Sequence, residues 1–129
     1  MTIDYCIDTV DKLIPNEYDR EDKIRWLNSI DSELYETLVR HYEGAPDKFD
    51  GYSSATPGRT PLIAPEQFND MYIQFIIAHI YLEREETIKY NNAMNIYNQM
   101  MYELRNWYNR SHTRKSDGKI KNYFAWGDA

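Results

Sequence analysis

Apolar residues recur every three or four positions in the second half of the chain, with polar residues between them. The apolar positions are Tyr90, Met94, Tyr97, Met101, Leu104 and Tyr108. This spacing is typical of an amphipathic helix, because side chains three and four residues apart share one face. Tyr102 and Trp107 border this stripe. The apolar surface is therefore wider than one partner helix usually covers, and it predicts packing against neighbours.

The same periodicity predicts two helices in the first 42 residues. Thr2 is the predicted N-cap of the first helix, and Pro15 ends it. Its inward positions are Ile3, Ile7, Val10 and Ile14. The second helix follows Asp19 and runs to about Tyr42, with Trp26 on its flank. Its inward positions are Ile24, Leu27, Ile30, Leu34 and Leu38.

A third helix is predicted from Pro65 to about Glu86, and its apolar positions cover almost the whole circumference. These positions are Phe68, Tyr72, Ile73, Phe75, Ile76, Ile77, His79, Ile80 and Leu82. Such a helix belongs at the centre of a fold. The fourth helix begins between Glu86 and Ile88 and runs to Arg110. We expect the two to form an antiparallel hairpin, because helices much longer than about 25 residues are rare in globular domains. One continuous or kinked rod over 66–110 is the alternative, since no Gly or Pro interrupts it.

Glycine and proline concentrate between the second and third helices. They are Gly44, Pro46, Gly51, Pro57, Gly58, Pro61 and Pro65. Loops longer than about 12 to 15 residues are uncommon in compact domains unless they are functional. We therefore expect a functional arm with strand character around Pro61, Leu62 and Ile63. A short extended hairpin and a domain linker are the alternatives, although residues 1–43 alone could hardly bury a core.

These elements together predict an all-α fold. The fold class is a four-helix bundle-like domain with a long antiparallel helical hairpin, a Gly/Pro-rich loop over about 44–64 and an irregular C-terminal tail. The 129 residues suit one domain. We place the helical domain at residues 1–112 and the C-terminal docking tail at residues 113–129.

Charge is distributed unevenly along the chain, whose net charge is −6. Residues 1–86 hold 8 Lys and Arg against 18 Asp and Glu, whereas residues 87–129 hold 7 against 3. This polarity favours head-to-tail contact between copies, or a basic tail that binds an acidic partner. The 12 Tyr residues suit surfaces that are wet in the free protein and buried in an assembly.

The residues that usually perform catalysis or hold metals form no recognisable motif. Cys6 is the single cysteine, which excludes an intramolecular disulfide, and we interpret it as a buried core residue. His79 and Glu83 lie one helical turn apart, but two ligands do not make a metal site, so we interpret His79 as a core histidine. Glycine-rich phosphate loops and nucleophile elbows are absent from the sequence. The sequence therefore predicts no enzyme, cofactor or metal site, and no catalytic residue.

Two further features of the chain concern its location. The first eight residues carry acids where a secretory signal needs a basic region, and no apolar run approaches the ~18 residues of a membrane span. We therefore expect a soluble, cytosolic protein with no membrane partner.

The C-terminal part of the chain combines basic and aromatic residues. The candidate partner-docking residues are Arg110, Arg114, Lys115, Tyr123, Phe124 and Trp126. A tail with aromatic residues and no periodicity suits a docking peptide. Alternatively, these aromatic residues fold back onto the core. The basic residues of this region, interleaved with Trp107, Tyr108 and Tyr123, could form a nucleic-acid surface, but the acidic balance of the chain repels phosphate. These basic residues are Arg105, Arg110, Arg114, Lys115, Lys119 and Lys121.

Several short motifs of the chain follow one pattern. The pattern is a proline, an aromatic-rich helix, a Tyr-Asn-Asn triplet, an aromatic-Asn pair and a Trp-Tyr-Asn-Arg-x-His sequence. Here the matching residues are Pro65, Tyr72, Tyr90-Asn91-Asn92, Tyr97-Asn98, Trp107-Tyr108-Asn109-Arg110 and His112. Trp26-Leu27-Asn28 and Asp31 also suit the pattern, which covers residues 13–115. This pattern is similar to that of small proteins in tailed bacteriophages and in prophages of Gram-positive hosts.

The chain thereby resembles head-tail connector proteins, also called head-completion adaptors. The resemblance implies a small helical subunit that assembles as a ring below the portal, extends the DNA channel and joins head to tail. The implied partners are the portal protein, tail or stopper proteins and other copies of the chain, which form the ring either in solution or only on the portal. Double-stranded DNA passes through without specific binding. The implied location is the virion, after assembly in the host cytoplasm. The alternative is a small regulatory or nucleic-acid-binding helical protein of a mobile element.

Overall fold

The computed structural model describes residues 1–115, and these residues form an all-α fold as predicted. The helices are α1 (Ile3–Leu13), α2 (Arg20–Thr37), α3 (Asn69–Glu83) and α4 (Thr87–Ser111). Short 3₁₀ helices at Val39–His41 and Glu66–Phe68 follow α2 and precede α3. The described residues contain no β-strand.

The caps of α1 and α2 explain where these two helices begin. The Thr2 hydroxyl accepts a hydrogen bond from the Tyr5 N–H (3.1 Å), and the Asp19 carboxylate accepts one from the Asp22 N–H (2.9 Å). Each bond satisfies an amide that has no partner within the helix, which confirms the predicted starts. α2 ends at Thr37, earlier than predicted, because Leu38 leaves the helical conformation and a 3₁₀ turn follows.

α3 and α4 form an antiparallel hairpin. Lys89 lies 5.5 Å over the Tyr81 ring, Phe75 and Tyr97 have ring centroids 4.9 Å apart, and Phe68 and Trp107 lie 5.9 Å apart. Residue numbers rise on one helix as they fall on the other. The turn at 84–86 contains Glu85 with a φ of +59°, and the Glu86 N–H donates to the Tyr81 carbonyl (3.0 Å). A single rod is therefore excluded.

α3 lies at the centre of the core, as its apolar circumference predicts. Met71, Tyr72, Ile76 and Ile80 are fully buried, and they pack with inward residues of α1, α2 and α4. Three residues of α3 that were predicted to face inward are more exposed than expected. Phe75 and His79 are half-buried, and Leu82 is 48% exposed because it lies in the last turn before the hairpin bend. α3 also begins after a 3₁₀ turn rather than at Pro65.

The 44–64 loop lies against α1 and α2. The Ile3 N–H donates to the Thr60 carbonyl (3.1 Å), the Asp4 N–H to the Gly58 carbonyl (2.9 Å) and the Leu62 N–H to the Met1 carbonyl (2.9 Å). Gly58 approaches Asp4 so closely that a Cβ would collide with its carboxylate. The expected strand character around Pro61 is limited to one isolated bridge between Thr2 and Pro61.

No helix in residues 1–115 is both long and apolar enough to cross a membrane.

Candidate functional site

The outer face of α4 is the first candidate surface. We define it by the fourteen exposed residues of this helix, of which only Lys89, Glu103 and Arg110 are charged. Large apolar side chains stand in solvent at Ile88 (77% exposed), Ile96 (46%) and Tyr102 (63%). The amide side chains on this face are Asn91, Asn92, Asn95, Asn98, Gln99 and Asn109.

This composition is unusual for a helix face that only meets water. Asn is up to about 0.7 kcal/mol less favourable than Ala in a helix interior, and charged residues usually form the solvated side. Depletion of charge with exposed Ile and Tyr is the composition of protein–protein interface cores. Sequence reasoning placed Tyr102 beside the buried stripe, whereas the helix turns it to solvent.

An aromatic cluster occupies the C-terminal end of α4. Tyr108 stacks on the His112 ring at 3.8 Å with an interplanar angle of 2°, and it meets Tyr42 edge-on at 4.9 Å. Trp107 lies 5.5 Å from His112 and tilts against Phe68. Desolvation by burial raises the pKa of the Tyr108 phenol. Trp107, Tyr108 and His112 of the Trp-Tyr-Asn-Arg-x-His motif therefore pack at the end of the helix, whereas Asn109 and Arg110 are exposed.

An apolar groove opens beside this cluster, and we call it the aromatic groove. Its volume is about 370 Å³. The walls come from the end of α2, the 44–64 loop and the end of α4, and include Tyr35, Val39, Phe49, Ile63, Trp107 and Tyr108. This size and lining suit an apolar or aromatic ligand group. The sequence did not predict the groove, because its walls are distant along the chain.

Two of the three described basic candidates, Arg114 and Lys115, contact the residues that follow α2. Arg114 pairs with Tyr42 in an isolated antiparallel bridge and places its guanidinium 5.4 Å from that ring. The Lys115 N–H donates to the His41 carbonyl (2.8 Å), and Lys115 lines a second, polar depression of about 300 Å³. Arg110 is exposed in the last turn of α4, where a cation interacts favourably with the helix dipole.

The other docking candidates, Tyr123, Phe124 and Trp126, lie outside the described residues. The docking tail, residues 113–129, stays a prediction. Within it, the Thr113 carbonyl accepts a hydrogen bond from the Glu43 N–H (2.8 Å), so residues 113–115 run along residues 41–43.

A buried carboxylate is the feature that sequence reasoning missed, although Asp31 belonged to the resemblance. Asp31 is 0% exposed and accepts hydrogen bonds from the Tyr72 hydroxyl (2.7 Å), the Ile63 N–H (3.0 Å) and the Tyr52 hydroxyl. The Tyr72 oxygen also accepts one from the Ala64 N–H (2.8 Å). Asp31 on α2 therefore holds the loop at two positions, Tyr52 and Ile63, and also binds α3 through Tyr72.

The electrostatics of this cluster follow from its burial. Desolvation raises the pKa of Asp31, although the bonds from Tyr52, Tyr72 and Ile63 oppose the shift. Desolvation and the nearby carboxylate raise the pKa of Tyr52 and of Tyr72. An aspartate inside the apolar stripe of α2 was the available signal, since a buried acid requires hydrogen-bond donors.

Two sequence interpretations of reactive residues are resolved by the structure. Cys6 is buried in the core, and desolvation raises its pKa to about 12, so the thiol is inert. His79 packs between Trp26 (5.1 Å, stacked) and Phe75 (4.4 Å), and desolvation lowers its pKa. Residues 1–115 contain no group of three or more His, Cys, Asp or Glu placed to hold a metal ion.

Comparison with known proteins identifies no match to a family model, to a curated protein or to a solved structure.

Proposed function

We propose that this protein is a structural adaptor of a tailed bacteriophage or prophage, a subunit that joins head to tail in a ring below the portal. The nearly uncharged outer face of α4 is the observation that carries the proposal. A ring subunit needs a broad surface for its neighbours, and Ile88, Ile96 and Tyr102 provide apolar area there. The resemblance supplies the class of assembly.

The uneven charge supports the same proposal. Residues 1–86 carry a net charge of −10 and residues 87–129 one of +4, from the counts of Lys and Arg against Asp and Glu. Opposite signs on different parts of one subunit steer copies into head-to-tail contact, the arrangement that closes a ring. Arg110, Arg114 and Lys115 would face an acidic neighbour.

The decisive experiment locates the chain in particles. Mass spectrometry of purified virions, combined with antibody labelling in electron micrographs, is expected to place this protein at the vertex that joins head and tail. Absence from particles, or distribution over the whole capsid, would overturn the proposal.

A pair of variants tests the surface itself. Ile96→Asp adds a charge to the outer face of α4, and Ser29→Asp adds the same charge to an exposed position of α2. We expect Ile96→Asp to abolish incorporation into particles, because a carboxylate buried at an interface without a partner is costly. Ser29→Asp is the matched control and should be incorporated normally. Equal incorporation of both variants would contradict the role of this face.

A small regulatory or nucleic-acid-binding protein of the same mobile element is the second candidate. Arg114 and Lys115 beside the aromatic cluster are the observation that favours it. In that case duplex binding must be measurable with the purified chain, which the last prediction of the Discussion tests.

A further inference from the structure

The aromatic groove has the chemistry of a site for aromatic side chains. Tyr35 and Val39 are buried at its base, while Phe49, Ile63, Trp107 and Tyr108 are half-buried in its walls. Rings of this kind gain from offset and edge-to-face contact with other aromatic rings, in addition to the area they bury. The groove therefore favours an aromatic group over a charged or extended polar one.

The described chain stops beside this groove. Residues 113–115 run antiparallel to residues 41–43, which directs the backbone from α4 towards the end of α2. Lys115, the last described residue, lines the polar depression, and that depression shares Tyr35, Lys48 and Phe49 with the aromatic groove. Lys115 therefore lies in a depression that adjoins the aromatic groove.

The residues that follow have the matching side chains within reach. Fourteen residues follow Lys115, and they include Tyr123, Phe124 and Trp126. Tyr123 lies eight positions after Lys115, which allows a span of up to about 26 to 29 Å. A short covalent connection also raises the effective concentration of a tethered segment to the millimolar range, on the order of a thousandfold above micromolar protein.

Lys48 is exposed on the rim of the groove, where it pairs with Asp50 (3.5 Å). An exposed ion pair of this kind contributes little free energy, so the aromatic lining and the covalent connection decide what the groove binds.

We propose that the aromatic groove binds the aromatic residues of the same chain's C-terminal segment, Tyr123, Phe124 and Trp126. The groove is then an intramolecular docking site, and a partner that binds these aromatic residues must first displace them from it. This proposal does not rest on the adaptor function, because it concerns the isolated chain.

Disulfide trapping in the full-length protein tests the proposal. Cys6 is buried with its pKa raised to about 12, so introduced cysteines react without interference. Lys48→Cys with Ala125→Cys places one thiol on the rim and one within the segment. With oxidised glutathione as the oxidant, we expect an intramolecular disulfide at micromolar protein, detected as a faster monomer band on a non-reducing gel.

Two controls make the result specific. Gln99→Cys with Ala125→Cys uses an exposed position on the outer face of α4, and its disulfide should form on the order of tenfold more slowly. Replacing Tyr123, Phe124 and Trp126 by Ser in the Lys48 and Ala125 pair should lower its rate to that of this control. Equal rates for both pairs, or no effect of the Ser replacements, would overturn the proposal. Disulfide-linked dimers without the monomer product would assign the groove to a neighbouring copy and overturn it as well.

Discussion

α2 and α4 are both long amphipathic helices, but their exposed faces differ in charge. Five of the seven exposed residues of α2 are charged, namely Arg20, Glu21, Arg25, Glu33 and Glu36, against three of fourteen on α4. The exposed face of α2 has the charged composition that is usual for a helix face in contact with water. The amide-rich face of α4 lacks that advantage and has weaker helix formers, which is consistent with a surface kept for contact.

The inner faces of the two helices differ as well. α2 buries Asp31, whose hydrogen bonds reach the loop and α3, whereas the buried positions of α4 are Ala93, Tyr97, Met101 and Leu104. α2 therefore organises the fold from within. α4 contributes ordinary packing inside and the unusual surface outside.

The largest effect is expected at the inner face of α2. Asp31→Ala leaves the Tyr52 and Tyr72 hydroxyls and the Ile63 N–H without their acceptor, which costs about 1 to 3 kcal/mol for a buried group and less for the part-buried groups of Tyr52 and Ile63. We expect the free energy of unfolding in urea to fall by about 3 to 6 kcal/mol. Asp31→Asn keeps an acceptor oxygen and should lose less. A loss below about 1 kcal/mol for Asp31→Ala would show that the loop does not depend on this carboxylate.

The inner face of α4 should give the next largest effect. Leu104 is 2% exposed, so Leu104→Ala removes buried methyl groups and leaves a cavity, which costs about 2 to 5 kcal/mol. Chemical denaturation measures this change. Phe75→Ala on α3 is expected within the same range, towards its lower end because Phe75 is half-buried. Losses below about 1 kcal/mol at both positions would mean that these faces are not packed as described.

The raised pKa of Asp31 predicts a pH dependence specific to α2. Above the unfolded-state pKa of about 3.9 and below the raised folded-state value, the folded protein binds more protons than the unfolded chain. The free energy of unfolding should therefore fall as pH rises through this window, by at most about 1.4 kcal/mol per pH unit.

Comparison with Asp31→Asn isolates this contribution. The stability of the wild-type protein minus that of the variant, measured by urea unfolding from about pH 3.5 upward, should decrease with pH. If this stability difference increased with pH, the three hydrogen bonds to the carboxylate would outweigh its desolvation and lower the pKa of Asp31 instead.

Substitutions on the two outer faces should leave stability almost unchanged. Ile96→Asp on α4 and Ser29→Asp on α2 alter exposed side chains, so both should unfold within about 0.5 kcal/mol of the wild-type protein. Thermal denaturation provides the measurement. A large destabilisation by Ile96→Asp alone would place Ile96 in the core and remove the contrast between the two helices.

The smallest expected effect is no binding of DNA. We expect no shift of double-stranded DNA by micromolar protein in about 150 mM salt, where the Debye length is ~8 Å, because the chain is acidic overall. A gel-shift assay tests this. A salt-sensitive shift that is lost when Arg110, Arg114 and Lys115 are replaced by Ala would favour the nucleic-acid-binding candidate.

The sequence by itself determined that there are four helices and where the N-caps of α1 and α2 lie. Thr2 and Asp19 begin α1 and α2 as predicted, and Tyr97, Met101 and Leu104 face inward on α4. These features depend on residues within one or two turns of each other, whose side chains bond nearby amides or share a face. Local spacing is therefore sufficient to predict them.

Only the tertiary structure decided the turn, the buried carboxylate and the groove. Helix length favoured the hairpin over the rod, but no Gly or Pro marks its bend at Glu85. The packing of α3 against α4 is what excludes the rod. Asp31 meets donors from residues 21 to 41 positions away, and the groove joins α2, the loop and α4. Periodicity reports which face of an element is apolar, but it contains no information on which distant residue will lie opposite.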